Sequence, residues 1–327
     1  MYENFYGLSE LPFELTANPK FLYLSPGQRE ALSTLEYGLF SAKAITLLVG
    51  EAGTGKTTLI QAALESPRCR DVRCIYLNNP TLRGDDFVRL LAHKFGLSAE
   101  VGESKALLLT HLEALLRERR AAGLITALVV DEAQSLSFEI LEEIRFLANI
   151  ETPAVKLLPV VLSGQPELAP RLEENNLRQL KQRVALRALL QPFELAETAA
   201  YINSRIVTAG GVPDRMFSLE AVSLIHDFSG GIARTISVIC DNALVTGMAL
   251  GRRLIAGATV AEVCRDLQLA PAKHSARANA PSLPRTDRTA TVDRAEPFQR
   301  PDESAENDRP RPVAMPFTPR AGRTITE

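Results

Sequence analysis

Nine consecutive residues of this chain have types and spacing suited to chemistry: Gly50, Glu51, Ala52, Gly53, Thr54, Gly55, Lys56, Thr57 and Thr58. They follow the apolar run Ala44–Val49, and the spacing is Gly, four residues, then Gly-Lys-Thr. With a strand before it and a helix after it, this pattern forms a loop that cradles phosphates. Glycines at 50, 53 and 55 allow backbone angles and a close ligand approach that a Cβ would forbid. A helix opening at Lys56 adds unpaired N–H groups and the positive end of its dipole. In such a loop Lys56 reaches the β and γ phosphates, and the Thr57 hydroxyl holds Mg2+. The expected ligands are therefore ATP and Mg2+.

A second set of polar groups completes this chemistry. Leu128-Val-Val-Asp-Glu132 is an apolar run ending in two acids. An acid at the end of a buried strand beside the loop holds the metal, directly or through water, which assigns Asp131. Glu132 can take a proton from an attacking water, so the expected reaction is hydrolysis. Ser163 and Gln165 end the next apolar run, and either could sit between the γ-phosphate and the lytic water. The sequence does not choose between them, and a plain turn before Pro166 is the alternative. Asn78-Asn79 could contact Glu132 as a polar switch or form an ordinary Asn turn. Arg183, with Arg178 as second choice, could reach a neighbouring subunit's γ-phosphate as an arginine finger. Arg234, just after Gly230-Gly231, falls on the first turn of a helix from which it could lean over the nucleotide. For either arginine a solvated helix face is the alternative.

The elements that must position these groups follow from periodicity. Residues 28 to 41 carry apolar side chains three and four apart, hence a helix, and a further helix runs from the loop to about Glu65. Residues 73–78, 124–130 and 156–164 read as strands, the later ones apolar enough to be covered on both faces. Helices near 84–95, 104–120 and 137–149 alternate with them. This predicts an α/β class fold, a parallel P-loop sheet with helices on both faces and its site at the strands' carboxyl ends. After about residue 193 helical periods at 195–209, 218–228, 232–249 and 259–267 continue without strands, which reads as a small all-helical lid. The expected domains are an N-terminal arm at 1–27, a nucleotide-binding domain at 28–193, a helical lid at 194–268 and a tail at 269–327. The arm, rich in aromatics and prolines, should be irregular and packed on the main domain. The tail, with nine of the chain's 20 prolines after residue 270 and few apolar residues, should be disordered.

Bulk properties exclude several classes. At 327 residues the chain has length for a sizeable core, and its 46% hydrophobic and 23% charged composition is ordinary globular usage. A formal net charge of −2 carries no nucleic-acid or membrane signature. Cys69, Cys74, Cys240 and Cys264 form no C-x-x-C pair and read as reduced thiols. No basic leader and no run of 18 uncharged apolar residues is seen, so the expectation is a cytoplasmic protein without a membrane span.

The loop, the Asp-Glu pair, the polar strand end, the late arginine and Gly-x-x-Arg, in this order, resemble the AAA+ ATPases. More narrowly, several segments are similar to the general secretion pathway protein A (ExeA-type) ATPases. They are Tyr2 with Phe5-Tyr-Gly-Leu, Pro12-Phe13, Tyr23-Leu-Ser-Pro26, Arg29-Glu-Ala-Leu32, Tyr37-Gly38, Gly164-Gln-Pro-Glu-Leu168, Gln182-Arg183 and Ser229-Gly-Gly-Ile-Ala-Arg234. The resemblance covers roughly residues 1 to 265. It implies a homo-oligomeric ATPase that energises assembly of secretion or envelope machinery, peripheral to the inner membrane through a partner. A related branch accompanies exosortase and exopolysaccharide clusters. Gln28 stands where the family usually has His, and Ala233 replaces a common Pro. Larger members continue into a membrane span and a peptidoglycan-binding domain. The alternatives are a nucleotide-gated adaptor with little turnover and a DNA-associated ATPase of the transposition-helper kind, the latter disfavoured by the acidic charge.

Overall fold

Side chains that alternate along the apolar runs decide the architecture, because each run faces two layers at once. A computed structural model describes residues 1–16, 18–78 and 84–272 of the chain. Five runs form one parallel sheet: β1 Ile45–Gly50, β2 Val72–Leu77, β3 Ile125–Val130, β4 Val160–Gly164 and β5 Val184–Leu190. Their order is β2-β3-β4-β1-β5. β1 is an interior strand, between β4 and β5, and is buried along its whole length. On one face Leu47, Val49, Leu128, Val130 and Leu162 pack among buried residues of the helices α4 (Gly84–Phe95), α5 (Lys105–Ala121) and α6 (Phe138–Leu147). On the other, Leu48, Val129 and Val161 meet Leu35 and Leu39 of α2 (Pro26–Phe40) and Leu59 and Ile60 of α3 (Lys56–Glu65). The expected α/β sheet with helices on both faces is therefore the fold observed.

Helix starts follow their local chemistry. Ser25 accepts from the Gln28 N–H while the Gln28 side chain accepts from the Ser25 N–H, and Pro26 occupies the first turn of α2. Such a reciprocal cap stabilises a helix start by about 1 kcal/mol. Beyond β5 come four helices, α9 Leu195–Thr208, α10 Leu219–Ser229, α11 Ala233–Ala249 and α12 Gly257–Asp266. Between β4 and β5 lie the short α7 (Leu168–Arg171) and α8 (Arg178–Lys181), with a 3-10 turn, Asn175–Leu177, between them. The later helices share a core of Ile202, Ile206, Ile225, Ile236, Ile239, Leu244 and Val260.

The N-terminal arm departs from expectation in two respects. Residues Tyr2–Tyr6 form a short helix, α1, closed by Gly7 at φ +75°. And the arm fills the core of the later helices rather than covering the sheet: Tyr2, Leu8, Phe13 and Phe21 are all buried there. The reason is volume, since those four helices leave a gap that aromatic rings close, with Phe13 edge-on to Phe217 and Tyr23 edge-on to Phe193 and Tyr201. Polar anchors add to this, Ser9 N–H to the Ala209 carbonyl at 2.8 Å and Tyr6 hydroxyl to the Leu244 carbonyl at 3.1 Å.

One glycine ties the helical part to the sheet. Gly231 has φ +78°, and a Cβ on it would stand 2.1 Å from the Phe193 carbonyl oxygen. Phe193, just past β5, donates its N–H to the Gly231 carbonyl at 2.9 Å. The tail beyond residue 272 lies outside the described residues.

Candidate functional site

Parallel strands bring their carboxyl ends to one edge, and β4, between β1 and β3, lets the groups following those two strands face each other. The loop after β1 folds as its glycines require. Gly53 and Gly55 have φ +84° and +98°, and a Cβ on Gly50 would stand 2.8 Å from the Leu190 side chain. Thr54 is buried, its hydroxyl on the Glu51 carbonyl at 2.8 Å. Lys56 is also buried and donates to the carbonyls of Gly50 at 2.8 Å and Glu51 at 3.1 Å. Burial pushes its ammonium pKa down, opposed by the negative field of Glu132, Asp131 and Glu51.

Asp131 is the electrostatic centre. Its Oδ2 accepts from the Thr57 hydroxyl at 2.9 Å and from the Tyr76 hydroxyl at 2.8 Å. Its Oδ1 accepts from Ser163 at 2.7 Å and from the Glu132 N–H at 3.0 Å. Burial works against the carboxylate, but these hydrogen bonds outweigh it and hold the carboxyl below the ordinary aspartate range. The Tyr76 hydroxyl is pushed the other way, first by burial and then by the Asp131 charge. Oxygen from Thr57 and Asp131 suits a hard cation, and Mg2+ is commonly held by one or two carboxylates plus substrate phosphates. Among the described residues no group of three or more His, Cys, Asp or Glu could hold a metal by itself. The residues present fit Mg2+ bound together with a phosphate chain.

The remaining candidates divide. Glu132 faces the cavity from a left-handed backbone, φ +53°, and its Oε2 accepts from the Gln134 amide at 2.6 Å and the Gln165 amide at 3.3 Å. Ser163 is fully buried and its hydroxyl serves Asp131, so it stands beneath the site, while Gln165 stands beside the acid. Arg234 comes from α11, where its N–H donates to the Gly53 carbonyl at 3.1 Å. A Cβ on Gly53 would stand 2.9 Å from the Arg234 Cβ, so the loop glycine is what lets the helix approach. Arg183 lies at the other end of the sheet. Val184 pairs with Ile45, at the start of β1, whereas the loop leaves β1 at Gly50. Five strand residues separate them, about 16 Å. Arg178, at the start of α8, precedes it by little more than one helical turn. Asn78 follows β2 and is exposed, and Asn79 lies outside the described residues.

A cavity of about 190 Å3 connects these parts, lined by Ala52, Gly53, Lys56, Thr57, Thr58 and Arg234 among others. A neighbouring space of about 80 Å3 is lined by Tyr23, Gln28, Phe193 and Tyr201. Arg205 borders both and is buried, donating to the carbonyls of Pro12 and Glu14 and to the Tyr201 hydroxyl. Its guanidinium lies over the Phe21 ring at 5.2 Å and the Tyr201 ring at 5.3 Å. Sequence reasoning missed Arg205, Tyr76 and Gln134. Only Tyr76 carried a signal, a polar tip two residues from the end of a strand beside the acids.

A glycine loop over a buried lysine, a strand-end acid bonded to the loop threonine and a helical lid define a P-loop protein of the AAA class. Residues 40–172 match the AAA domain family. The chain is 40% identical over 255 residues to General secretion pathway protein A of Aeromonas hydrophila, covering 78% of this chain and 46% of that protein. On this similarity the chain resembles general secretion pathway protein A, and it spans about half the length of the curated relative it matches. Among solved structures it is similar to the Aeropyrum pernix ORC2 protein in its ADPNP-ADP complexes, with TM-score 0.56 and 18% identity over 79% of this chain and 71% of that one. Cdc6p of Pyrobaculum aerophilum gives TM-score 0.58 and 19% identity over 78% and 70%. At these identities the likeness is one of fold.

Proposed function

We propose that this protein binds and hydrolyses Mg2+-ATP and uses the cycle to assemble or remodel a protein partner in secretion or envelope machinery. The observation that carries the reading is the 2.9 Å bond between Thr57 and Asp131, with Glu132 next in the chain and open to the same cavity. That neighbourhood supports reading Thr57 and Asp131 as the metal-holding pair and Glu132 as the base. Lys56 turns from the Gly50 and Glu51 carbonyls to the phosphates. Thr57 and Asp131 would hold Mg2+, which when bound would draw negative charge off the phosphate oxygens. Glu132 accepts the proton of a water at its carboxylate, and Gln165 orients that water or the terminal phosphate.

In this reading residues 28–193 form the ATPase domain and 194–268 the lid. Arg234 closes the lid over the nucleotide because α11 already rests on Gly53. Arg183, a sheet's length from its own loop, serves the site of a neighbouring subunit in a homo-oligomer. The name of the Aeromonas relative supports a partner in secretion. Among the described residues no helix is long and apolar enough to cross a membrane.

The test is ATP turnover by the purified protein and by Glu132→Gln. Loss of about 100-fold or more in the variant, with ATP still bound, is expected. Equal rates would refute the hydrolase. Partner capture that is strongest with the ATP-loaded Glu132→Gln protein is expected for a remodelling role.

A further inference from the structure

One side chain near the site does work that the hydrolytic reading leaves unassigned. Gln134 sits two residues past Glu132, half-buried against the end of β4. Its Oε1 accepts the backbone N–H of Gln165 at 3.0 Å. A backbone N–H can only donate, so that end of the amide is the oxygen and the other end is the NH2 group. The NH2 group donates to Glu132 Oε2 at 2.6 Å. The orientation of this amide is therefore dictated by the chain itself. Its main chain is held as well, because Arg171 donates to the Gln134 carbonyl at 2.6 Å. Room for the amide comes from Gly164. A Cβ there would stand 2.9 Å from Gln134 Oε1 and 2.7 Å from Leu168 Cδ2.

We propose that Gln134 is a positioning residue for Glu132, coupling the end of β4 to the direction of the catalytic carboxylate. The proposal rests on Glu132 being the base of ATP hydrolysis. An amide that bonds a strand end with one atom and a carboxylate with the other moves the two as a unit. Gln165 donates to the same Glu132 oxygen at 3.3 Å, so two amides converge on Oε2. With Oε2 held, the plane in which the other carboxylate oxygen meets a water is set. Glu132 itself stands on a left-handed backbone that a side chain rarely adopts, which leaves its direction sensitive to such a contact. A shift of Gln165 on meeting a terminal phosphate passes through Gln134 to Glu132. The device joins two segments, 131–134 and 163–165, that follow or end the neighbouring strands β3 and β4.

The test uses the intact protein and two substitutions of Gln134. Gln134→Glu is nearly isosteric, keeps an acceptor for the Gln165 N–H and removes the donor to Glu132. Gln134→Ala removes both. Each is expected to lower kcat about tenfold or more while KM for Mg2+-ATP and the affinity for a fluorescent ATP analogue stay within about twofold. Gly164→Ala, which leaves the amide intact but displaces it, is expected to give the same split. Combined with Gln165→Ala, Gln134→Ala should cost less than the product of the two single effects. Unchanged kcat in both Gln134 variants, beside an inactive Glu132→Gln, would overturn the proposal and leave the ATPase standing. A raised KM with kcat unchanged would also overturn it, since the residue would then only shape the binding site. Equal turnover in wild type and Glu132→Gln would remove the base and the proposal together.

Discussion

The two ends of the cavity are built differently. The phosphate end is made of consecutive residues, Gly50 to Thr58, with Asp131 at the centre of four donors. Charge and hydrogen bonds hold it. The aromatic end gathers Phe21 and Tyr23 from the arm, Gln28 from α2, Phe193 from the strand exit and Tyr201 and Arg205 from α9. Burial and ring contacts hold it, with Phe193 5.4 Å from Tyr201 and Tyr23 5.7 Å from Phe193. Arg205 is its main polar element, and its three bonds all go to neutral oxygens. The phosphate end needs only the loop and neighbouring strands of the sheet, whereas the opposite end exists only when arm and lid have met.

Four substitutions test that contrast. Gly231→Ala forces a Cβ against the Phe193 carbonyl at positive φ. Strain and overpacking together should cost about 4 kcal/mol, read as a fall in Tm. Gly27, where a Cβ meets only Ser25 Oγ at 3.9 Å, is the control and should tolerate Ala. Lys56→Ala should shift Tm only slightly, because losing its bonds to the Gly50 and Glu51 carbonyls is offset by relief of the ammonium's burial, yet weaken ATP binding about 100-fold, the weight of two charged hydrogen bonds. Unaltered affinity by calorimetry would mean that phosphates sit elsewhere. Arg205→Met keeps the apolar stem but strands the Pro12 and Glu14 carbonyls, costing about 1–3 kcal/mol. Limited proteolysis should then release the arm while the sheet stays intact. If the arm stays protected, arm and lid do not depend on this residue.

The smallest effect should come from Tyr76→Phe, which removes one donor from Asp131 and costs about 1–2 kcal/mol at pH 7. The folded Asp131 carboxyl lies below the ordinary aspartate range, so its contribution is full at neutral pH and is lost as pH falls through the lowered folded value. The variant should therefore lose stability at neutral pH but not at pH values below both carboxyl pKa values. Chemical unfolding at pH 7 and at about pH 3 measures the difference, which should shrink at the lower pH. An equal loss at both would show that Tyr76 contributes through packing alone.

Legibility in the sequence follows the same division. The strands at 45–50, 125–130 and 160–164 could be read because uninterrupted apolar runs need both faces covered. The loop could be read because its glycines and lysine are adjacent. Ser163 and Gln165 could not be told apart there, since their fates turn on where β4 ends: Ser163 lies within the strand and turns in to Asp131, whereas Gln165 lies past its end and meets Glu132. Arg205 gave no signal because a buried guanidinium satisfied by carbonyls of residues about 190 positions away has no local pattern. The arm's aromatics suggested burial, but composition could not say against which surface. Gln28 was visible only as a departure from a family pattern. Its place, with Nε2 3.4 Å from the Thr54 carbonyl, needed the helix cap to be built first.

The burial of the arm among the later helices has a consequence for synthesis. Tyr2 bonds to Asp241, a partner 239 residues further along the chain. A ribosome releasing roughly 5–20 residues each second would therefore leave the arm waiting for the lid for about 10–50 s. The sheet's strands all precede residue 191 and can pair during that interval. Tyr2, Phe13 and Phe21 stay in water until α11 emerges, a hydrophobic segment presented to chaperones by a chain whose sheet has already formed. The closing of the arm onto the later helices must then follow the synthesis of α11, and the aromatic side of the nucleotide cavity is not complete before that step.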